Sequence, residues 1–306
     1  MPVRSTGRSL KLLGLPVTVA GSSSELLLDT GSAGIRILSS AVGSAGLVRS
    51  TTPSTVTFAD GTQFIGVLAT APVSVGSIAT EAPITIQLID TCEGTSCDII
   101  SGTFSGLIGT SLSNRSTNPD LYSPLSRLPG NLDSGYLIST GGFNSVQGIF
   151  TLGLTPANTA GFSSLTLLAR GTFNDGTTIW DDAALEVSYT ITDPAGVPVV
   201  SNVLSSTVFD TGSSDTFLSL SALGGGSLSS PLPPGSVFRA ALSGGFDYQS
   251  TVGIPPTPGC DRVFVNASGD SQLIGMPLFF QLDTLFDSDQ GRIGFRIPNP
   301  QPPSSC

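Results

Sequence analysis

Short apolar runs alternate with polar turns rich in Gly and Pro along the whole chain, and no long stretch carries the 3.6-residue period of a helix. Leu15-Pro-Val-Thr-Val19 alternates as a strand, Gly21-Ser-Ser-Ser24 turns, and Leu26-Leu-Leu28 reads as a buried strand. Residues 34–38 resume as a strand. Val56-Thr57-Phe58 and the run 64–75 flank Ala59-Asp60-Gly61-Thr62, and Asp-Gly between apolar runs is a strong hairpin signal. Strands are also predicted over 148–153, 164–168, 185–191, 203–209, 285–287 and 292–296. Residues 113–147 read as loops with a short helical turn near 121–127. The pattern predicts an all-β chain with few short helices.

Two of the apolar runs end alike: Leu26-Leu-Leu-Asp29-Thr30-Gly31-Ser32 and Val208-Phe209-Asp210-Thr211-Gly212-Ser213. A buried strand that ends in a carboxylate is costly unless the carboxylate is hydrogen-bonded or shares a proton. One such strand could be an accident; two suggest matched halves that bring two carboxylates together. The halves are expected at 1–160 and 161–306. A second motif repeats too, as Phe104-Ser-Gly-Leu-Ile-Gly109 and Gln272-Leu-Ile-Gly275, where Gly after paired apolar residues lets another backbone approach. The plainer alternative is two strand-to-turn junctions with Asp and Gly as ordinary turn residues, and Asp60 reads as such a residue.

Composition narrows the chemistry. The 306 residues include no His, which removes Ser-His-Asp and Cys-His catalysis and most zinc sites. Acid–base work then falls to carboxylates, Lys, Tyr or Cys, and Lys11 is the only lysine. A net charge of −10 repels phosphate backbones, so nucleic acid is not an expected partner. Only 11% of residues are charged, so few ionised pairs are lost in acid. No stretch is long enough to span a membrane, and residues 10–20 read as folded structure rather than an export signal. Four cysteines allow three pairings; sequence proximity favours Cys92–Cys97 with Cys260–Cys306, the alternative being four free thiols in a reducing compartment. The Cys92/Cys97 spacing lacks the His or second Cys pair of a metal site.

Taken together, the twin Asp-Thr-Gly-Ser turns, the hairpin 56–68, the two apolar-apolar-Gly elements and the closing run 279–295 resemble the pepsin-like aspartic peptidase family, in a divergent bacterial-type form. The resemblance implies a bilobal β fold with a cleft between two lobes related by a pseudo-twofold axis. It implies Asp29 and Asp210 as a catalytic dyad, one from each lobe, sharing one proton and activating a water, with no cofactor. Gly31 and Gly212 would let N–H groups approach the carboxylates. Thr30 and Thr211 would bond across the axis, and Ser32 and Ser213 would donate to the outer carboxylate oxygens. Phe58, Ala59, Asp60, Gly61 and Thr62 would form the flap tip over the substrate. Phe58 stands where relatives carry Tyr and Arg36 where many carry Trp, so their Tyr–Trp bond is absent here.

The expected function is an aspartic endopeptidase acting on polypeptides in an extended cleft, inhibited by pepstatin-like compounds. It would be monomeric and secreted, periplasmic or in the cell envelope. Two alternatives are a catalytically weak or inactive pepsin-like binding or inhibitor module, and a structural cell-envelope β protein that would leave the repeated carboxylate turns unexplained.

Overall fold

The computed structural model describes all residues except 6–10, 114–119, 174–175, 183–184, 225–227, 243–245, 255, 258–259, 268, 270 and 300–306. Among the described residues the protein is built on two large mixed sheets, with a two-stranded ribbon of Leu168–Thr172 and Thr178–Asp181. Helices are few and short: Cys97–Gly102, Pro156–Thr159 and Met276–Phe279. None is long and apolar enough to cross a membrane.

The first sheet holds at its centre Ser22–Asp29, which runs parallel to Gly106–Thr110. Gly106–Thr110 in turn pairs antiparallel with Ala33–Leu38. The second sheet repeats the device: Pro198–Phe209 runs parallel to Gln272–Ile274, which pairs antiparallel with Thr216–Ser219. The central strands are covered on both faces, so they read as continuous apolar runs rather than alternating ones. Leu28, Ile35, Ile108 and Ile274 are fully buried, each worth about 1.5–3 kcal/mol of transfer free energy.

The C-terminal strands cross over. Asp283–Asp287 and Arg292–Arg296 leave the second half and join the first sheet, where Asp283–Asp287 pairs with Gly135–Thr140 and Arg292–Arg296 with Ser163–Thr166. The stack Tyr136–Phe286, with ring centroids 4.8 Å apart, packs this junction.

Several elements differ from the sequence pattern. The hairpin expected from Val56 begins earlier, at Val48, and its return run 64–75 is interrupted at Pro72 between Gln63–Ala71 and Val73–Val75, because Pro offers no N–H to a ladder. The helical turn near 121–127 is a pair of 3-10 turns, Pro124–Arg127 and Gly130–Asp133. Helix Cys97–Gly102 was not expected: six residues are too few to display a period. Cys92 and Cys97 are joined, with Cα atoms 5.7 Å apart. Cys260 is also disulfide-bonded, while its expected partner Cys306 lies outside the described residues.

Asp133 and Asp289 line a cavity of about 390 Å³ with Ser111, Tyr136 and Trp180. Burial, then the charges of Asp133 and Asp287, raise the Asp289 carboxyl above its ordinary value; burial and Glu81 do the same for Asp133. A carboxyl raised in the folded state contributes stability that is present below its unfolded value and lost as pH rises through the folded one. Asp289→Asn is therefore expected to unfold at a higher temperature than the parent at neutral pH, with the gap closing in acid. Thermal melts at pH 3 and pH 7 check this; a gap of equal size at both overturns it.

Candidate active site

The parallel pairing sets where each strand must stop. Asp29 is the register partner of Gly109, and the Asp210 N–H donates to the Ile274 carbonyl at 2.9 Å. A side chain at Gly109 would lie 2.7 Å from the Ser32 carbonyl oxygen, and one at Gly275 would lie 2.6 Å from that of Ser213. Only glycine permits this approach. The strands then brace the loops equivalently: Ser111 N–H donates to the Ser32 carbonyl and Met276 N–H to the Ser213 carbonyl, both at 2.9 Å.

The loops lock to each other through two threonines. Thr30 Oγ1 donates to the Phe209 carbonyl at 2.7 Å and accepts from the Thr211 N–H at 3.0 Å. Thr211 Oγ1 donates to the Leu28 carbonyl at 2.7 Å and accepts from the Thr30 N–H at 3.1 Å. All four bonds are buried and reciprocal, as a twofold axis requires. Each loop's glycine faces the other loop's carboxylate. A Cβ on Gly31 would sit 2.6 Å from Asp210 Cγ; one on Gly212 would sit 2.8 Å from Asp29 Oδ1 and 3.1 Å from Asp210 Oδ1. Both carboxylate oxygens thus lie within 3.1 Å of one point.

Local donors orient the carboxylates. Asp29 Oδ1 accepts from the N–H groups of Gly31 at 2.9 Å and Ser32 at 3.1 Å, and Oδ2 accepts from the Ser32 hydroxyl at 2.5 Å. Asp210 Oδ1 accepts from the Gly212 N–H at 2.7 Å. The expected symmetry fails at Ser213, whose hydroxyl donates to the Asp215 carbonyl at 2.9 Å instead of to the outer oxygen of Asp210. The Asp215 side chain is engaged elsewhere. It is buried, accepts from Ser214 Oγ at 2.8 Å, and forms a forked pair with Arg262 at 3.1 and 2.5 Å. Sequence reasoning missed Asp215 and Arg262; the Asp that follows Asp-Thr-Gly-Ser-Ser was the available signal.

The hairpin tip is well defined. Phe58 N–H donates to the Thr62 carbonyl and Gly61 N–H to the Phe58 carbonyl, both at 2.9 Å. Asp60 accepts from the Thr62 N–H and hydroxyl at 2.9 Å each and from Ser96 Oγ at 2.5 Å. Burial alone would raise the Asp60 carboxyl, but the bonds from Ser96 and Thr62 outweigh it and hold it below its ordinary value. That contribution to stability is present above the unfolded value and lost only as pH falls through the lowered one, so the tip stays fastened in mild acid. Ala59 is exposed in the same turn.

Arg36 is fully buried, with its guanidinium 6.0 Å from the centroid of the Phe58 ring and Nη1 donating to the Ala33 carbonyl at 2.8 Å. Burial lowers its pKa to about 10, against the pull of the Asp29 charge, so it stays cationic in acid. Among the described residues its Nε has no hydrogen-bond partner, nor has Oε1 of Gln87, its register neighbour on Ile84–Glu93. Phe58 also stacks edge-on against Phe64 at 4.8 Å. Phe58 thus meets a buried cation on one side and an aromatic ring on another.

No family model and no curated relative matches the sequence. Among solved structures, the chain is similar to the aspartic proteinase from Irpex lacteus, with a TM-score of 0.63 at 16% identity over 100% of this chain and 99% of that one. Such a full-length likeness identifies the fold of this chain as that of the pepsin-like aspartic proteinases.

Proposed function

We propose that the protein is an aspartic-type endopeptidase that hydrolyses peptide bonds with a water held between Asp29 and Asp210. The observation that carries this reading is the pair of crossed loops: each threonine bonds across to the other strand, and each glycine lies against the opposite carboxylate. Two carboxylates so close hold one proton between them. The ionised partner takes a proton from the water as it attacks the amide carbon, and the protonated partner donates to the carbonyl oxygen. No covalent intermediate is required. The hairpin tip 58–62 is the proposed flap over a polypeptide substrate. The Cys92–Cys97 bond supports an oxidising compartment, secreted, periplasmic or cell-envelope.

The test is cleavage of an unfolded protein substrate between about pH 3 and 7, the range in which such dyads work, with and without a pepstatin-like inhibitor. Inhibitable cleavage is expected. Folded protein that cleaves nothing overturns the reading. A second reading, a peptide-binding module on the same fold, is favoured by Phe58 and Arg36 at the flap; it predicts inhibitor binding without turnover.

A further inference from the structure

The tip of the hairpin Val48–Thr57/Gln63–Ala71 is fastened from outside the hairpin. Two bonds reach it from one residue: Ser96 Oγ donates to Asp60 Oδ2 at 2.5 Å, and the Ser96 N–H donates to Thr62 Oγ1 at 3.2 Å. Beside them, Gly94 takes φ +118°, and a Cβ there would lie 2.7 Å from Thr62 Cα. The backbone of the 92–97 loop therefore lies directly on the turn, which only glycine allows.

The loop that presents Ser96 is held at both ends. Cys92 is the register partner of Phe64 on the returning strand of the hairpin. Cys97 opens helix Cys97–Gly102, and the disulfide joins the two. That helix leads through Phe104, whose N–H donates to the Ile99 carbonyl at 2.9 Å, into Gly106–Thr110, the strand that carries Gly109 beside Asp29. The hairpin tip and the wall behind Asp29 are thus tied together through one small covalently closed loop.

We infer that Ser96, presented by the Cys92–Cys97 loop, is a positioning residue that latches the hairpin tip in place over the Asp29–Asp210 pair. This rests on the reading of 58–62 as a substrate flap. The latch grips the end of the turn from the side. A hydrogen bond to a charged carboxylate is among the stronger hydrogen bonds in a protein. Opening the flap breaks it and remakes it with water, so removing the hydroxyl lowers the cost of opening. A peptide or inhibitor held under the tip then leaves sooner.

Hydrogen exchange of the backbone amides tests the latch without calling on activity. Ser96→Ala, and separately Cys92→Ser with Cys97→Ser, are expected to speed exchange at residues 56–66 by about tenfold, the loss of one charge-assisted bond. Strand Leu13–Val19 serves as the unaffected reference. Ser96→Thr, which keeps the hydroxyl, restores the parental rate. With a peptide substrate, Ser96→Ala raises KM and speeds inhibitor release while kcat holds. Parental exchange at the tip in both Ser96→Ala and the double Cys variant overturns the latch. Faster exchange in a protein that cleaves nothing keeps the latch and overturns the peptidase reading. Faster exchange with KM and inhibitor release unchanged overturns the positioning role.

Discussion

Asp29→Asn is expected to lower kcat/KM on a peptide substrate by about 10⁴-fold, the upper end of what general acid–base catalysis supplies, while the protein stays folded. The side chains have the same shape. Asn Oδ1 can keep both N–H bonds that Asp29 Oδ1 now accepts from Gly31 and Ser32. The changed atom is the one facing Ser32 Oγ at 2.5 Å, where an amide nitrogen meets a hydroxyl that can turn to accept from it. On the proposed mechanism, what is lost is one of the two carboxylates that share the proton. Asp210→Asn should be equally inactive, since the pair works as a unit, and the double variant should be little worse than either single one. Kinetics and thermal melts on the three variants check this. Activity within tenfold of the parent in Asp29→Asn would remove this residue from the chemistry.

The largest effect on stability is expected at the crossing of the loops. Thr211→Val keeps the volume and removes Oγ1, which leaves the Thr30 N–H without its acceptor and the Leu28 carbonyl without its donor. Thr211 is completely buried, so water cannot replace either bond. Each orphaned buried group costs about 1–3 kcal/mol, and a total near 3 kcal/mol is expected in urea unfolding. Thr30→Val removes the mirror-image bonds to Phe209 and Thr211 and should cost a similar amount. The double variant should cost less than the two added, because both disrupt one network. A loss below about 0.5 kcal/mol, the level of an ordinary surface substitution, would mean that the crossing does not hold the halves together.

The contrast between the two loops shows where local reading stops. Ser32 and Ser213 occupy equal places in equal motifs, and symmetry predicts equal roles. They differ in partner: the Ser32 hydroxyl donates to Asp29, the Ser213 hydroxyl to the backbone carbonyl of Asp215, whose side chain meets Arg262, 47 residues away. The same holds for the hairpin tip. Asp60 was legible as a turn residue, and its bonds to Thr62 are those of a turn; its bond to Ser96 depends on where an unrelated loop comes to rest. Helix Cys97–Gly102 escaped notice for want of length, and the start of the hairpin at Val48 was hidden because that edge strand is mostly exposed and carries no apolar alternation.

The sequence by itself determined the β class, the two strand ends that carry Asp29 and Asp210, the glycines that let backbones close on them, and the Cys92–Cys97 pair. These are local: a period of two, a turn residue and a short covalent loop each act within a few neighbours. Tertiary structure alone decided which hydroxyl serves which carboxylate, that Arg36 lies buried beneath Phe58, and that the strands 283–296 complete the sheet of the opposite half. Those outcomes rest on contacts such as Thr211 with Leu28, separated by 183 positions. No local pattern encodes a partner at that range; it is set when two sheets pack and their registers are fixed together.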